Sequence, residues 1–399
     1  MHPGQGRDAA ALSKTGVLVL FSAIVLVSTY LLRLTAWRML SGSQAAPHEL
    51  SPARRLGRLR QLCSAPTIKE WSEQFSPESL DLIVLTYMSG DENVLTAASK
   101  WALGITSSQH NVPLVLAGQG KKYIDKKDKI DGVLNALRFF HDQQTILFLD
   151  AADTLFFNPV AVVAETLRKK GGDVLFGVEC NSWPKCYKKL YAQSGHACPA
   201  WSNTCFLNSG AYIGSVAKLR QLMLLLPKMP IKKTDDDQTA AQVLYMQQES
   251  HGLSMVLDHE NEAFYSAMPC SGGGDFVKKV KPEYADTCDD SDRTNWQALE
   301  RMEFELPPKG PAVLKVKVND THTSRPAMLH LNGPWWLKRR FKALFEDNVV
   351  AAIKKDPQQQ QALLDFPLLL VDSANSTCEL RRNIGMAFEA EKAVGNIMF

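Results

Sequence analysis

The sequence has almost no charge excess: 45 Lys and Arg against 42 Asp and Glu leave a formal net charge of +3 over 399 residues. So weak a balance gives no electrostatic case for nucleic acid as a partner, and none is expected. Glycine and proline show no excess, at 24 and 20 residues, which excludes collagen-like and low-complexity chains. An apolar share of 45% excludes a mostly disordered one. No internal repeat is present, and the ending Asn396-Ile-Met-Phe399 lacks a KDEL-type retention signal. Long apolar runs are also missing, with one exception.

That exception is Gly16–Leu32, 17 residues without a charge between Lys14 and Arg33. At about 1.5 Å per helical residue it just spans a thin bilayer. An uncleaved anchor is expected over a cleaved signal peptide, because the run exceeds the usual h-region and Arg33 follows directly. A core helix is rarely apolar on every side so near a terminus. The chain then reads as a tail over 1–15, a transmembrane span over 16–32 and a Ser-, Pro- and Arg-rich stem over 33–78. Arg7 and Lys14 precede the span, but Arg33, Arg38, Arg54 and Arg55 follow it, so basic residues do not favour a cytosolic N-terminus. All eight cysteines and two sequons, Asn319-Asp-Thr321 and Asn375-Ser-Thr377, lie after the span. An even cysteine count suits an oxidising compartment. The expectation is a single-pass type II protein of the Golgi or endoplasmic reticulum with a lumenal body. Local pairs such as Cys180–Cys186, Cys198–Cys205 and Cys270–Cys288 are three among many possible connectivities.

The body opens with the compact apolar run Asp81–Thr86. Further strand-like runs are Val112–Leu116, Thr145–Leu149, Asp173–Gly177, Phe206–Gly214, Leu253–Leu257, Val313–Val318 and Met328–Leu331. Between the early ones lie helical patterns over Glu92–Ser107, Lys129–His141 and Pro159–Lys170, with later helices from Lys218 and from Asp235. This alternation predicts an α/β fold, a mainly parallel sheet with helices on both faces. Glu179–Thr204 holds Trp, Pro, Gly and three cysteines without periodicity, as a functional or disulfide-held loop does. Phe341–Phe399 is expected to be helical, and 346–399 is read as a C-terminal helical extension.

Chemistry concentrates in four places. Asp150-Ala-Ala-Asp153 ends an apolar strand, where ligands of open α/β sheets bind; two carboxylates there suit a hard cation, or else a turn. His330 ends another apolar strand; imidazole beside carboxylates suits Mn²⁺, and a plain structural histidine is the alternative. Asp235-Asp-Asp237-Gln238 reads as a helix N-cap that also suits sugar hydroxyls or a base. Phe206-Leu-Asn208-Ser-Gly-Ala-Tyr-Ile-Gly214 offers small residues and an amide to a sugar, or is a buried strand with a glycine bulge.

Taken in order, Asp150-x-x-Asp153, Asn181-Ser-Trp183-Pro184, Phe206–Gly214, Asp235–Gln238, Leu257-Asp-His259 and His330-x-Asn-Gly-Pro334 resemble the glycosyltransferase domain of the procollagen lysyl hydroxylases. The resemblance runs from about Leu80 to Lys338 and implies a GT-A glycosyltransferase domain, placed at 79–345. It further implies a UDP-sugar donor, Mn²⁺, and a protein or glycan acceptor. By the same resemblance Asp150, Asp153 and His330 are metal ligands. Val84, Thr86, Lys129, Gly333 and Lys338 lie on the donor side, the last only with a shift in spacing. Trp183, Asn208, Asp236 and Asp237 belong to the sugar and acceptor side. The oligomeric state is not predicted.

Three departures stand out. Ala152 replaces an aromatic residue that would flank the nucleotide, and Leu331 replaces a glycine after the histidine. No hydroxylase part with its iron-binding His-x-Asp follows, so a lysyl hydroxylase is not expected. The expected activity is metal-dependent transfer of galactose or glucose from a UDP-sugar. The rival readings are an inactive lectin or scaffold, which Ala152 favours, and a metal-dependent hydrolase.

Overall fold

The structure is a computed structural model of the chain, which divides into two units, Met1–Ser51 and Pro52–Phe399. It describes residues 70–90, 102–119, 125–151, 153–180, 188–196, 198–202, 204–231, 236–267, 301–305, 313–319, 321–332, 353, 355–372 and 377–381, all in the second unit. The apolar run 16–32 lies outside them; among the described residues no helix is long and apolar enough to cross a membrane.

The centre is an eight-stranded sheet in the order β14-β13-β2-β1-β3-β6-β5-β7. Its strands are β1 (Leu82–Gly90), β2 (Leu114–Gln119), β3 (Thr145–Asp150), β5 (Val174–Glu179), β6 (Phe206–Ser215), β7 (Met255–Leu257), β13 (Leu368–Asp372) and β14 (Thr377–Arg381). Six run one way, while β6 and β14 run antiparallel to their neighbours. The mainly parallel sheet expected from the alternation is thus present, with β6 and β14 as its two antiparallel strands. Strands β1, β3 and β5 are apolar at consecutive positions because both of their faces are buried.

Helices α2 (Lys126–Leu137), α5 (Val216–Leu225) and α6 (Asp237–Met246) pack together beside the sheet residues Phe176 and Tyr212. Tyr212 stacks on Phe148 at 4.7 Å and lies 5.2 Å from Phe176, so one ring ties β6 to both its neighbours. Burying each such ring contributes about 1.5–3 kcal/mol. Local sequence starts and stops the helices: Asp125 and Asp128 form a capping box on α2, Ser215 caps α5, and Gly171 ends α3 (Ala161–Lys170) in the left-handed region.

Two three-stranded sheets flank the main one. The first joins β4 (Thr154–Phe156), β12 (Met328–His330) and β8 (Phe264–Ser266); the second joins β9 (Met302–Glu305), β10 (Val313–Lys317) and β11 (Thr323–Ser324). Asn158 bridges the turn after β4 to β10, donating to the carbonyls of Leu314 and Pro326.

Three expectations need correction. The C-terminal region is not purely helical: after α8 (Pro357–Asp365), β13 and β14 form a hairpin that extends the main sheet beside β2. Leu368–Val371 is an apolar strand run hidden by the Gln-rich helix before it. The end of the expected stem is no spacer either, since Trp71 and Phe75 are buried and Phe75 meets Phe366 edge-on at 6.0 Å. Finally, α1 (Ala102–Gln109) and β2 each run past the ends drawn for them, with β2 reaching Gln119.

Candidate active site

The site forms at the carboxyl end of β3. Asp150 closes that strand, and the chain turns through Asp153 directly into β4. Strand β12 pairs antiparallel with β4 and sets His330 opposite Thr154, while Leu331 donates its N–H to the Asp153 carbonyl at 2.7 Å. This pairing, rather than closeness in sequence, brings the imidazole to the carboxylates. His330 Nε2 lies 3.4 Å from Asp153 Oδ1 and 4.0 Å from Asp150 Oδ2. One donor atom from each of Asp150, Asp153 and His330 falls within 4.8 Å of the others, a set that could hold a metal ion. Two hard oxygens and one imidazole fit a divalent ion such as Mn²⁺.

His330 is buried, and its ring lies against β6 at Gly210. A Cβ on Gly210 would stand 2.1 Å from His330 Cε1, so only glycine leaves room for the imidazole. The register between β5 and β6 jumps here: Phe176 pairs with Tyr212, but Gly177 pairs with Asn208. A bulge at the glycine, one of the two readings of this strand, is thus present, and Ser209–Ala211 has no partner on β5. Burial lowers the basicity of His330, yet Asp153 foremost, then Asp150 and Glu179, raise its pKa above the usual histidine value.

A second cluster adjoins the first. Lys129, from α2, places Nζ 2.7 Å from Asp150 Oδ1 and 2.9 Å from Asp237 Oδ2, over the Phe148 ring at 5.1 Å. Burial opposes its charge, but the two carboxylates outweigh that and hold its pKa well above the ordinary lysine value. Ser209 also donates to Asp237, at 2.9 Å. Asp236 serves the helix instead, its Oδ1 accepting from the Thr239 N–H and hydroxyl to cap α6.

Beneath both clusters lies a buried amide network. Asn208 Nδ2 donates to Glu179 Oε2 at 2.9 Å and to Gln238 Oε1 at 3.2 Å, and Gln238 Nε2 donates to Glu179 Oε1 at 2.6 Å. Asn332 donates to Glu179 as well, and Ser266 donates to Asn332. Burial raises the Glu179 pKa to about 7, with the Asn208 and Gln238 amides pulling it back. Glu179 is not among the site residues expected from the sequence. The available signal was an acid ending an otherwise apolar strand, in the position Asp150 takes on β3.

The expected site residues thus divide. Asp150, Asp153, His330, Lys129, Asn208 and Asp237 come together. Thr86 lies beside them but donates its hydroxyl to the Leu149 carbonyl at 2.7 Å. Val84 sits mid-strand between Leu114 and Leu147 and is fully buried, so it presents no side-chain surface to a nucleotide. Trp183, Gly333, Lys338 and Ala152 lie outside the described residues. The neighbouring Cys198–Cys205 disulfide pins the loop before β6, and the Cys205 N–H donates to the Glu179 carbonyl at 3.0 Å. Cys180 and Cys378 are also disulfide-bonded; Cys186, Cys270 and Cys288 lie outside the described residues.

Comparison with known proteins points to the class: residues 107–280, which carry Asp150, Asp153, Lys129 and Asp237 but end before His330, match a glycosyltransferase domain. More particularly, they match the family model of the PLOD GT domain, the glycosyltransferase domain of lysyl hydroxylase, so the resemblance read from the motifs holds. No curated protein matches the chain. Among solved structures, the galactosyltransferase LgtC in complex with donor and acceptor sugar analogues is 12% identical with a TM-score of 0.34. The match covers 65% of this chain and 94% of that one, a likeness too loose to bear on the site.

Proposed function

We propose that the protein is a GT-A-type, divalent-metal-dependent glycosyltransferase that moves galactose or glucose from a UDP-sugar to a protein or glycan acceptor. The supporting observation is the convergence of Asp150, Asp153 and His330 at one strand end, beside a segment that matches the PLOD GT domain. A bound Mn²⁺ would supply Lewis-acid neutralisation of the charge that builds on the leaving diphosphate. Asp150, Asp153 and His330 would hold it. Lys129 adds a fixed positive charge, and its ion pair holds Asp237 in place for the sugar side. Gly333 and Lys338 complete the donor side, with Thr86 at the nucleotide and Trp183 at the sugar. The apolar run 16–32 anchors the chain as a type II protein of the Golgi or endoplasmic reticulum, with the body in the lumen.

The test is UDP release by the full chain from UDP-galactose and UDP-glucose, with Mn²⁺ and with a chelator. Metal-dependent release from one donor is the expected result, and Asp153→Ala reduces both release and Mn²⁺-dependent donor binding to background. Donor binding without release from either sugar favours a lectin or scaffold instead. Release that persists in chelator overturns the metal assignment.

A further inference from the structure

The resemblance places Asn208 on the sugar side, but its hydrogen-bonding capacity is already spent. A side-chain amide has two N–H donors and an oxygen with two lone pairs. Both donors are taken, by Glu179 Oε2 and Gln238 Oε1. The oxygen accepts from the Gly210 backbone N–H at 2.9 Å and faces His330 Nδ1 at 2.9 Å. The residue is 3% exposed. A sugar hydroxyl would have to break one of these buried bonds to reach it.

The Gly210 contact also removes an ambiguity. A backbone N–H only donates, so the atom facing it is Oδ1, and the Glu179 carboxylate fixes the amide from its other end. An oxygen facing His330 Nδ1 requires that Nδ1 carry the proton. The ring's other nitrogen, Nε2, is the one turned to Asp153 and Asp150.

We propose that Asn208 is a positioning residue for His330 rather than a sugar-binding one: its Oδ1 fixes the Nδ1–H tautomer and leaves the Nε2 lone pair to the metal. Glu179 and Gln238 are the partners that keep Asn208 turned this way. The inference rests on the metal reading of the site, and it separates the role of Asn208 from that of Asp237.

The experiment has a metal-free arm and a metal arm. In the wild-type full chain without metal, at alkaline pH where the ring is neutral, ¹⁵N chemical shifts of His330 should report a protonated Nδ1 and a bare Nε2. A protonated Nε2 overturns the proposal, whether or not Mn²⁺ binds. In the metal arm, Asn208→Leu keeps the volume and removes the acceptor; calorimetry should show Mn²⁺ affinity falling about 10–100-fold, the usual effect of losing such a partner. Asn208→Asp restores the acceptor oxygen towards His330, while its other oxygen faces Glu179 Oε2 and the two carboxyls share a proton there. It should bind Mn²⁺ within a few-fold of wild type. Asn208→Asp binding as weakly as Asn208→Leu overturns the proposal. So does Asn208→Leu with unchanged Mn²⁺ affinity and only a raised KM for donor or acceptor. A wild-type chain that binds no Mn²⁺ yet shows the Nδ1–H tautomer refutes the metal site while sustaining the contact that sets the ring.

Discussion

Replacing Gly210 with alanine should disable the metal site without touching any ligand. The added Cβ would lie 2.1 Å from His330 Cε1, 2.7 Å from Nε2 and 2.8 Å from Nδ1, so the whole edge of the ring is blocked. Carbon atoms pack at about 3.5–4.0 Å, so the imidazole must retreat by at least about 1 Å. The ring cannot move so far without losing the 2.9 Å bond to Asn208, and metal–ligand distances tolerate only about 0.2 Å. Overpacking of this kind costs about 1–3 kcal/mol of stability. Gly210→Ala is therefore expected to stay folded, with a lowered Tm, and to lose Mn²⁺ affinity by about 10-fold or more. Gly177→Ala is the control, because its nearest foreign atom is Phe264 Cβ at 3.3 Å and no site residue is in the way. The readout is Mn²⁺ titration calorimetry paired with thermal unfolding. Wild-type affinity in Gly210→Ala would refute the packing of His330 against β6, and with it the assembly of the site across β12.

Three further outcomes follow from single features. Lys129→Met should lower stability by leaving Asp150 and Asp237 without their shared cation, yet Mn²⁺ affinity should not fall, since a competing positive charge has gone; a drop in calorimetric affinity would contradict this arrangement. His110 packs edge-on to Phe156, and burial depresses its pKa from 6.5 to about 4. The unfolded chain therefore binds more protons between those values, and stability is lost as pH falls through that window, by up to about 3 kcal/mol. His110→Phe should flatten the acid limb of Tm measured from pH 4 to 7; an unchanged slope would show that another group drives it. Replacing Cys198 and Cys205 with serine opens a short loop and should cost about 2–3 kcal/mol by denaturant unfolding, whereas unchanged stability would mean the loop is held by its hydrogen bonds alone.

What could be read from the sequence depended on whether a feature was local. Strands β1, β3, β5 and β6 announced themselves as apolar runs because both of their faces are buried. The capping role of Asp236 followed from an acidic run before a helical pattern, and the bulge in β6 from its glycine. Strand β4 was invisible: Thr154–Phe156 is three residues long and adjoins a turn. The hairpin β13–β14 was missed because its place in the sheet depends on pairing with β2, some 250 residues earlier in the chain. The direction of β6 was missed for a related reason. A buried strand is apolar whichever way it runs, so pattern alone does not separate parallel from antiparallel neighbours.

The same distinction explains why the ligands were found and their supports were not. Asp150 and Asp153 carry their meaning in spacing, and His330 carries it as an imidazole at a strand end. Glu179 carries only the weak signal of an acid ending an apolar strand. It matters because β5 lies beside β6 and the bulge turns Asn208 towards it. Asn208 likewise reads as a sugar-facing amide until the Gly210 N–H and His330 Nδ1 are seen to share its oxygen. Spacing along the chain identifies groups that can reach one another through a turn. A tautomer, by contrast, is decided by which atom of a distant side chain faces the ring, and that depends on register. A one-residue slip of β12 against β4 would exchange His330 for Leu329 or Leu331 and remove the site, although every motif in the sequence would still be present.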